Sequence, residues 1–509
     1  MDAEPLPSEA ATLSTSLPEH PAPHKWLITA AVLLGAILVI LDGSIVNVAL
    51  PYMQRTFSVG IDRISWVVTS YLAAVSVMLP MTGWLAVRIG RRRYLIISVL
   101  TFVIASAMCG LAQSITEIVV FRILQGIAGA AMMPLSQAIL LETFPVEEHP
   151  LAMTTFGIGM MAAPVLGPTL GGWITETWSW RWCFYINVPT GAFAALMMYT
   201  FVHDPDYLRE QRGSGRVDYL GIVLIALTLG VFQIVLGRGG RDGWFAAPWV
   251  RYCSAITVLS GILLVIRELR HPEPIIDLRM FGIFGFTLAV MLISLQGLAL
   301  WTINYLNPLF LETVLHYSAL DAGWAVAWRG VGVVVALFAI GQLSRRGWDT
   351  RGFVCVGFVI GAYEAWNMSH WTLNTTSMAI VLPILFIGLG LGAVFPTVTA
   401  LGIGQIQRER MGFAASLFSM MINTGAAAGI ALATNLLTVR HHLHLAQLGG
   451  LSDATHIDST MLARSWLFAY NDVYRVIAVL LILLAPWCLL LKRRDLRDST
   501  EIALEAEMS

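Results

Sequence analysis

The sequence predicts an all-α polytopic membrane protein of fourteen transmembrane helices, built as two six-helix pseudo-repeats with two further helices inserted between them. Three observations carry this. Of 509 residues, 57% are hydrophobic, only 12% are charged, and mean hydropathy is +0.72; soluble domains carry about 25% charge. Apolar runs of the roughly 20 residues needed to cross a bilayer recur along the chain. Glycine and proline spacings in the first six runs return, in order, in the last six.

Residues 1–25 are polar and rich in Pro, Ser and Glu, and read as a disordered cytoplasmic tail. They lack the basic stretch and short apolar core of a cleaved signal, so the first span is expected to stay in the protein. The expected spans are 26–50, 64–86, 94–113, 117–141, 151–174, 182–203, 217–237, 248–268, 282–311, 321–344, 353–371, 378–401, 411–439 and 470–491. They divide into a first six-helix bundle (26–203), two inserted helices with linkers (204–280), a second six-helix bundle (281–491) and a cytoplasmic C-terminal tail (492–509). With the N-terminus cytoplasmic, 20 Lys/Arg fall on the inner side and nine on the outer, while Arg122 and Arg329 lie inside spans. Excess positive charge marks the cytoplasmic side, so both termini are placed there.

Net charge of −1 gives no reason to expect a nucleic-acid partner. Cys109, Cys183, Cys253, Cys355 and Cys488 stand singly in apolar stretches, so neither a disulfide framework nor a zinc site is expected. The longest outer connection, Arg440 to Ala469, holds His441, His442, His444 and His456. It reads as a solvated loop, with a metal site as the weaker alternative. Phosphate-cradling loops, nucleophile elbows and a soluble nucleotide-hydrolysing domain are all missing from the pattern, so an enzyme is not expected.

The repeat rests on three matches. Gly126…Pro134 in span 4 has the spacing of Gly388…Pro396 in span 12. Gly83-Trp-Leu-Ala-Val-Arg88 after span 2 is matched by Gly341-Gln-Leu-Ser-Arg-Arg346 after span 10. Gly167 and Gly171 in span 5 are matched by Gly425 and Gly429 in span 13. Parallel repeats with a site between them are a transporter architecture.

Four charges lie inside spans: Asp42, Arg122, Arg329 and Glu364. At about 1.5 Å rise per residue, they sit roughly 12, 8, 12 and 10 Å below the outer surface. A charge in hydrocarbon is costly and marks an ion or substrate pathway, usually with a partner. Asp42 is expected to pair with Arg122, either exchanging protons or locking spans 1 and 4 together. Glu364 and Arg329 are expected to form a second pair, structural or proton-carrying. Aromatic and amide side chains within spans mark the expected cargo surface: Asn47, Trp66, Tyr71, Gln137, Gln296, Trp301, Tyr305, Asn307 and Asn423. Large, mostly apolar walls with few polar anchors suit amphipathic molecules.

Gly83-Trp-Leu-Ala-Val87-Arg88-Ile-Gly90-Arg91-Arg92-Arg93 resembles the signature loop of the major facilitator superfamily. Arg122-Ile-Leu-Gln125-Gly126-Ile-Ala-Gly129 is similar to its second motif, and Gly157…Pro164-Val-Leu-Gly167-Pro168-Thr-Leu-Gly171 to its antiporter motif. Leu41-Asp42…Asn47…Pro51 and Trp180-Arg181-Trp182…Asn187-Val-Pro189 resemble the fourteen-helix drug:proton antiporters of the EmrB/QacA type, EmrB most of all. The resemblance implies the major facilitator fold, with gating by Gly83, Arg88, Gly90, Arg91, Gln125, Gly126, Gly157, Pro164, Gly167, Pro168 and Gly171. It implies multidrug efflux from the cytoplasmic (inner) membrane by drug:proton exchange, driven by the proton-motive force without a cofactor. A dedicated exporter of one metabolite or siderophore is the alternative on the same fold. The EmrB branch adds the option of a periplasmic membrane-fusion adaptor and an outer-membrane channel as partners. Val87 stands where the superfamily loop usually has an acid, and Gly43-Ser44 where the family usually has Thr.

Overall fold

The computed structural model describes residues 24–145, 148–204, 218–240, 242–271, 274–345, 348–406, 410–449 and 459–491. Both expected tails, most of the 204–217 linker and His456 lie outside the described residues.

The first bundle comprises α1 (Lys25–Phe57), α2 (Trp66–Met78), α3 (Thr82–Ile89), α4 (Arg91–Leu111), α5 (Ile115–Gly129), α6 (Met132–Thr143), α7 (His149–Thr177) and α8 (Asn187–Phe201). The inserted helices are α9 (Tyr219–Ile225) with α10 (Val231–Arg238), and α11 (Pro248–Arg270). The second bundle comprises α12 (Phe284–Gln296), α13 (Thr302–Thr313), α14 (Ala319–Arg345), α15 (Thr350–Met368), α16 (Ser377–Ile403), α17 (Met411–Gly449) and α18 (Ser459–Leu484). Single π turns, Ala226–Gly230 and Gly297–Trp301, join α9 to α10 and α12 to α13.

Among the described residues, ten helices are long and apolar enough to cross a membrane, and the bent pair α2–α3 would make an eleventh. The remaining expected spans coincide with α7, α8 and α15. The 60° bend between α2 and α3 falls at Pro80, which cannot donate the helix hydrogen bond at that turn. Gly90 then takes φ +95°, a conformation that only glycine adopts freely, and opens α4.

The contacts support the repeat. A Cβ on Gly126 would lie 2.5 Å from the Tyr71 carbonyl oxygen, and one on Gly388 would collide with the Arg329 carbonyl in the matching place. Gly167 and Gly171 seat α7 on Ser44 and Ile45 of α1; Gly425 and Gly429 seat α17 on Ser294 and Leu298. Small residues let backbones approach this closely where lipid supplies no hydrophobic drive between helices.

The two bundles meet tightly at the end that carries Lys25 and the Gly83–Arg93 loop. Gly83 would bring a Cβ to 2.8 Å from Phe413 Cα, and Gly157 one to 2.9 Å from Leu337. Gln137, Glu142 and Met153 of the first bundle face Thr399, Ile403 and Ala415 of the second around a void of only 20 Å³. Basic side chains pin helix ends here, Lys25 to Glu148 at 2.6 Å, Arg91 to Glu142 and Arg92 to the Tyr199 carbonyl, while the Arg92 backbone N–H donates to Asp204 at 2.7 Å. The inserted helices lie over the bundle seam, with Ser76 donating to Gln233 at 3.4 Å and Gly230 against Val77. Their base is tied by Arg267 to Asp218 at 2.7 Å, by the Ile276 N–H to Glu268 at 3.0 Å and by Arg410 to Asp277 at 3.0 Å.

The expected solvated loop from Arg440 to Ala469 is a correction. Residues 440–449 continue α17, and 459–469 open α18. No Gly or Pro occurs between Gly429 and Gly449, so nothing in that stretch stops the helix. His441 is buried, hydrogen-bonded with Ser465 at 2.9 Å and stacked on Trp466 at 3.9 Å; His444 meets Asp472 at 2.8 Å.

Candidate functional site

A charged network sits at the centre of the first bundle. Asp42 projects from α1 and is 0% exposed; Arg122 projects from α5 and is 1% exposed. Arg122 Nη1 donates to Asp42 Oδ2 at 2.6 Å and to Gln125 Oε1 at 2.8 Å. Gln125, three residues on and therefore on the same helix face, donates from Nε2 to Asp42 Oδ1 at 2.9 Å. Asn187, the first residue of α8, donates to the same oxygen at 2.7 Å and to Ser106 Oγ of α4 at 3.0 Å. Ser106 in turn donates to the Phe184 carbonyl at 2.9 Å.

Arg122 has two further supports. Its Nε donates to the Val67 carbonyl at 3.1 Å, and its guanidinium lies 4.1 Å from the centre of the Tyr71 ring. Both partners of the ion pair are thus satisfied without water, which a charge pair in a low-dielectric interior requires. The arrangement can also come apart in one direction. A proton on Asp42 would cancel its charge and its claim on Arg122, while Arg122 would keep Val67, Gln125 and the Tyr71 face.

Asp42, Arg122, Gln125 and Tyr71 are therefore brought together. Asn187 and Ser106 were not expected here. The available signal for Asn187 was an amide inside an apolar span next to Pro189; Ser106 had none beyond its polarity.

The expected Glu364–Arg329 pair does not form. Glu364 accepts from Asn367 at 3.2 Å, on its own helix, and Arg329 meets no carboxylate among the described residues. Similar depth did not place them on facing sides of their helices: Arg329 belongs to the buried α14 stripe against α16.

The expected cargo residues divide by exposure. Asn47, Tyr305 and Asn423 are exposed. Trp66 is half-buried beneath the Arg238 guanidinium at 4.8 Å, and Trp301 is half-buried too. Tyr71, Gln296 and Asn307 are buried within bundles, and Gln137 lines the closed end. Asn307 accepts from Tyr474 Oη at 2.8 Å.

Of the expected gating residues, Gly83, Gly126, Gly157, Gly167 and Gly171 all make close helix contacts, Gly90 opens α4 and Arg91 pins it. Arg88 lies 5.4 Å from the Trp84 ring centre. α7 runs through Pro164 and Pro168 as one helix, and the side chains of those two prolines lie outside the described residues.

Comparison with known proteins adds to this geometry. The model of the Major Facilitator Superfamily matches residues 32–430. The chain is 31% identical over 431 residues to "Multidrug export protein EmrB" of Haemophilus influenzae, covering 83% of this chain and 82% of that one. It is 29% identical over 451 residues to "Colistin resistance protein EmrB" of Acinetobacter baumannii, covering 88% and 85%. Among solved structures, the human organic anion transporter MFSD10 superposes with a TM-score of 0.66 at 13% identity, covering 92% and 100%. The proton:xylose symporter XylE superposes with a TM-score of 0.64 at 15% identity, covering 93% and 97%. At such identities these two likenesses speak for the fold alone.

Proposed function

This chain belongs to the major facilitator superfamily, and from that premise we propose that it exports amphipathic drugs in exchange for protons, with Asp42 as the proton-carrying group. The observation that carries the reading is the buried Asp42–Arg122 pair, held at 2.6 Å across the α1–α5 seam and enclosed by Gln125 and Asn187. A carboxylate inside a membrane bundle is a functional site by default. The drug-export and drug-resistance names of the EmrB relatives support a drug cargo.

Positive charge concentrates at the end of the bundle that carries Lys25 and Arg88–Arg93, which favours a cytoplasmic location for that end and for both termini in the inner membrane. On that reading the bundles are closed toward the cytoplasm, and the conformation faces outward. A proton arriving from outside reaches Asp42 and discharges the pair. Loosened contact between α1 and α5 favours rearrangement, and release of the proton inside restores the pair. Asn47, Tyr305 and Asn423 are the exposed polar side chains offered to cargo. α17 has 39 residues, about 58 Å of helix against a hydrocarbon core of about 30 Å. Its His441–His444 end, paired with α18, gives an outer surface for a periplasmic adaptor that leads on to an outer-membrane channel.

The test is an antibiotic and dye susceptibility panel in a pump-deficient host, joined to drug-triggered proton flux in inverted vesicles, wild type against Asp42→Asn. Loss of both resistance and flux is expected. Flux at the wild-type level in Asp42→Asn would sink the coupling role.

A further inference from the structure

Arg329 is the interior charge that the proton site does not use. It is 6% exposed, Nη1 is buried without a partner, and none of its N–H groups meets an acceptor among the described residues. Arginine does not give up its proton in proteins, so this position holds a positive charge in a place where charge is costly.

No carboxylate among the described residues is paired with it. The Asp42 carboxylate is taken by Arg122, Gln125 and Asn187, and Glu364 is bonded to Asn367. The repeat sharpens the contrast. The Tyr71 carbonyl packs on Gly126 as the Arg329 carbonyl packs on Gly388, so the two residues occupy matching places in the two bundles. In the first bundle a neutral ring fills that place beside a complete ion pair. In the second, a cation fills it with no anionic partner among the described residues.

α13 packs against α14, and it carries Asn307, whose Oδ1 is engaged by Tyr474 and whose Nδ2 is buried without a partner. Trp301 Nε1 is likewise unpartnered, one turn and a half deeper.

We propose that Arg329 anchors the carboxylate of an amphipathic anionic cargo, a monocarboxylate with an apolar tail. This rests on the export reading and names one cargo class for it. The guanidinium fork matches a carboxylate's two oxygens, and cargo supplies the missing anion when bound.

The test uses the full-length protein in nanodiscs and in proteoliposomes. The probes are dodecanoate and dodecyltrimethylammonium at submicellar concentration, with tails matched and heads of opposite charge. Dodecanoate is expected to raise the melting temperature of the wild type. Arg329→Met is expected to melt higher than wild type without ligand, because an uncompensated charge is gone. It should bind dodecanoate at least tenfold more weakly and export it, relative to dodecyltrimethylammonium, at least tenfold less; Arg329→Lys should recover part of both. Unchanged dodecanoate affinity in Arg329→Met overturns the site, as does parallel loss of both probes with a lowered melting temperature. Arg329-dependent binding with neither probe exported by the wild type refutes export and leaves the site standing. Export of both probes with no selectivity change in Arg329→Met refutes the site and leaves export standing.

Discussion

Arg122 holds Asp42 from the opposite wall of the α1–α5 seam, Nη1 to Oδ2 at 2.6 Å, with both residues out of solvent. Removing one partner strands the other. Asp42→Asn should lower stability by about 3–5 kcal/mol, the usual consequence of leaving a buried charge alone. The double change Asp42→Asn with Arg122→Gln should recover most of that loss in a melting curve, yet remain unable to couple drug to proton flux. Restored flux in the double variant would show that the pair is only a brace.

Asn187 gives its amide to Asp42 at 2.7 Å and to Ser106 at 3.0 Å. Asn187→Leu leaves both acceptors short of a donor and should lower stability by about 1–3 kcal/mol. Exchange should slow more than cargo binding weakens, since the side chain touches the carboxylate and no exposed surface. Equal loss in binding and flux would argue against that role.

Gly83 closes the basic end against Phe413 and Gly412. Gly83→Val forces side-chain atoms into that backbone, an overpacking worth about 1–3 kcal/mol against the closed end. Distances between spin labels on α3 and α17 should lengthen in a major population, without loss of helix content. An unchanged distance distribution would refute the latch.

Glu364 bonds only to Asn367 among the described residues, three places along its own helix. Glu364→Gln keeps that bond and the shape of the side chain. Resistance and drug-driven flux should stay within about twofold of wild type, well under the tenfold that a 1.4 kcal/mol loss would give.

Burial pushes the Asp218 carboxyl up, but hydrogen bonds from Arg267 and the Gly221 N–H outweigh it and hold the group below the usual carboxylate range. A depressed folded-state value means that its stabilisation is complete above the unfolded value, near 4, and fades as pH falls through the folded one. Arg267 is 32% exposed, so solvent screening keeps the contribution small. Asp218→Asn should melt below wild type at pH 7, and the gap should close progressively below about pH 4. A gap of constant size down to pH 3 would remove the charge from the explanation.

The class, the order of the helices and the Asp42–Arg122 pair were legible because each follows from one property, the cost of charge or polarity in hydrocarbon. Depth follows from residue number, and the pair was found by depth. The same rule misplaced Glu364 beside Arg329, because depth says nothing about which way round its helix a side chain faces. Asn187 was named only within a family-like motif and its contact went unread for a related reason, since that contact depends on α8 beginning at Asn187 against the α4 face that carries Ser106. The helical hairpin of α17 and α18 was read as a loop because histidines were counted as solvated. His441 is polar at its edge but flat enough to stack on Trp466, and that contact joins residues 25 places apart.

The Asp42–Arg122 pair is electrically neutral as a unit, and it becomes a unit of one positive charge when Asp42 takes a proton. One elementary charge moved through 100 mV is worth about 2.3 kcal/mol. On the proposed exchange, the membrane voltage would leave the deprotonated pair alone and draw the protonated one inward. Voltage and pH gradient would act through the same carboxylate, and a cell that lost one of them could still drive the return stroke with the other.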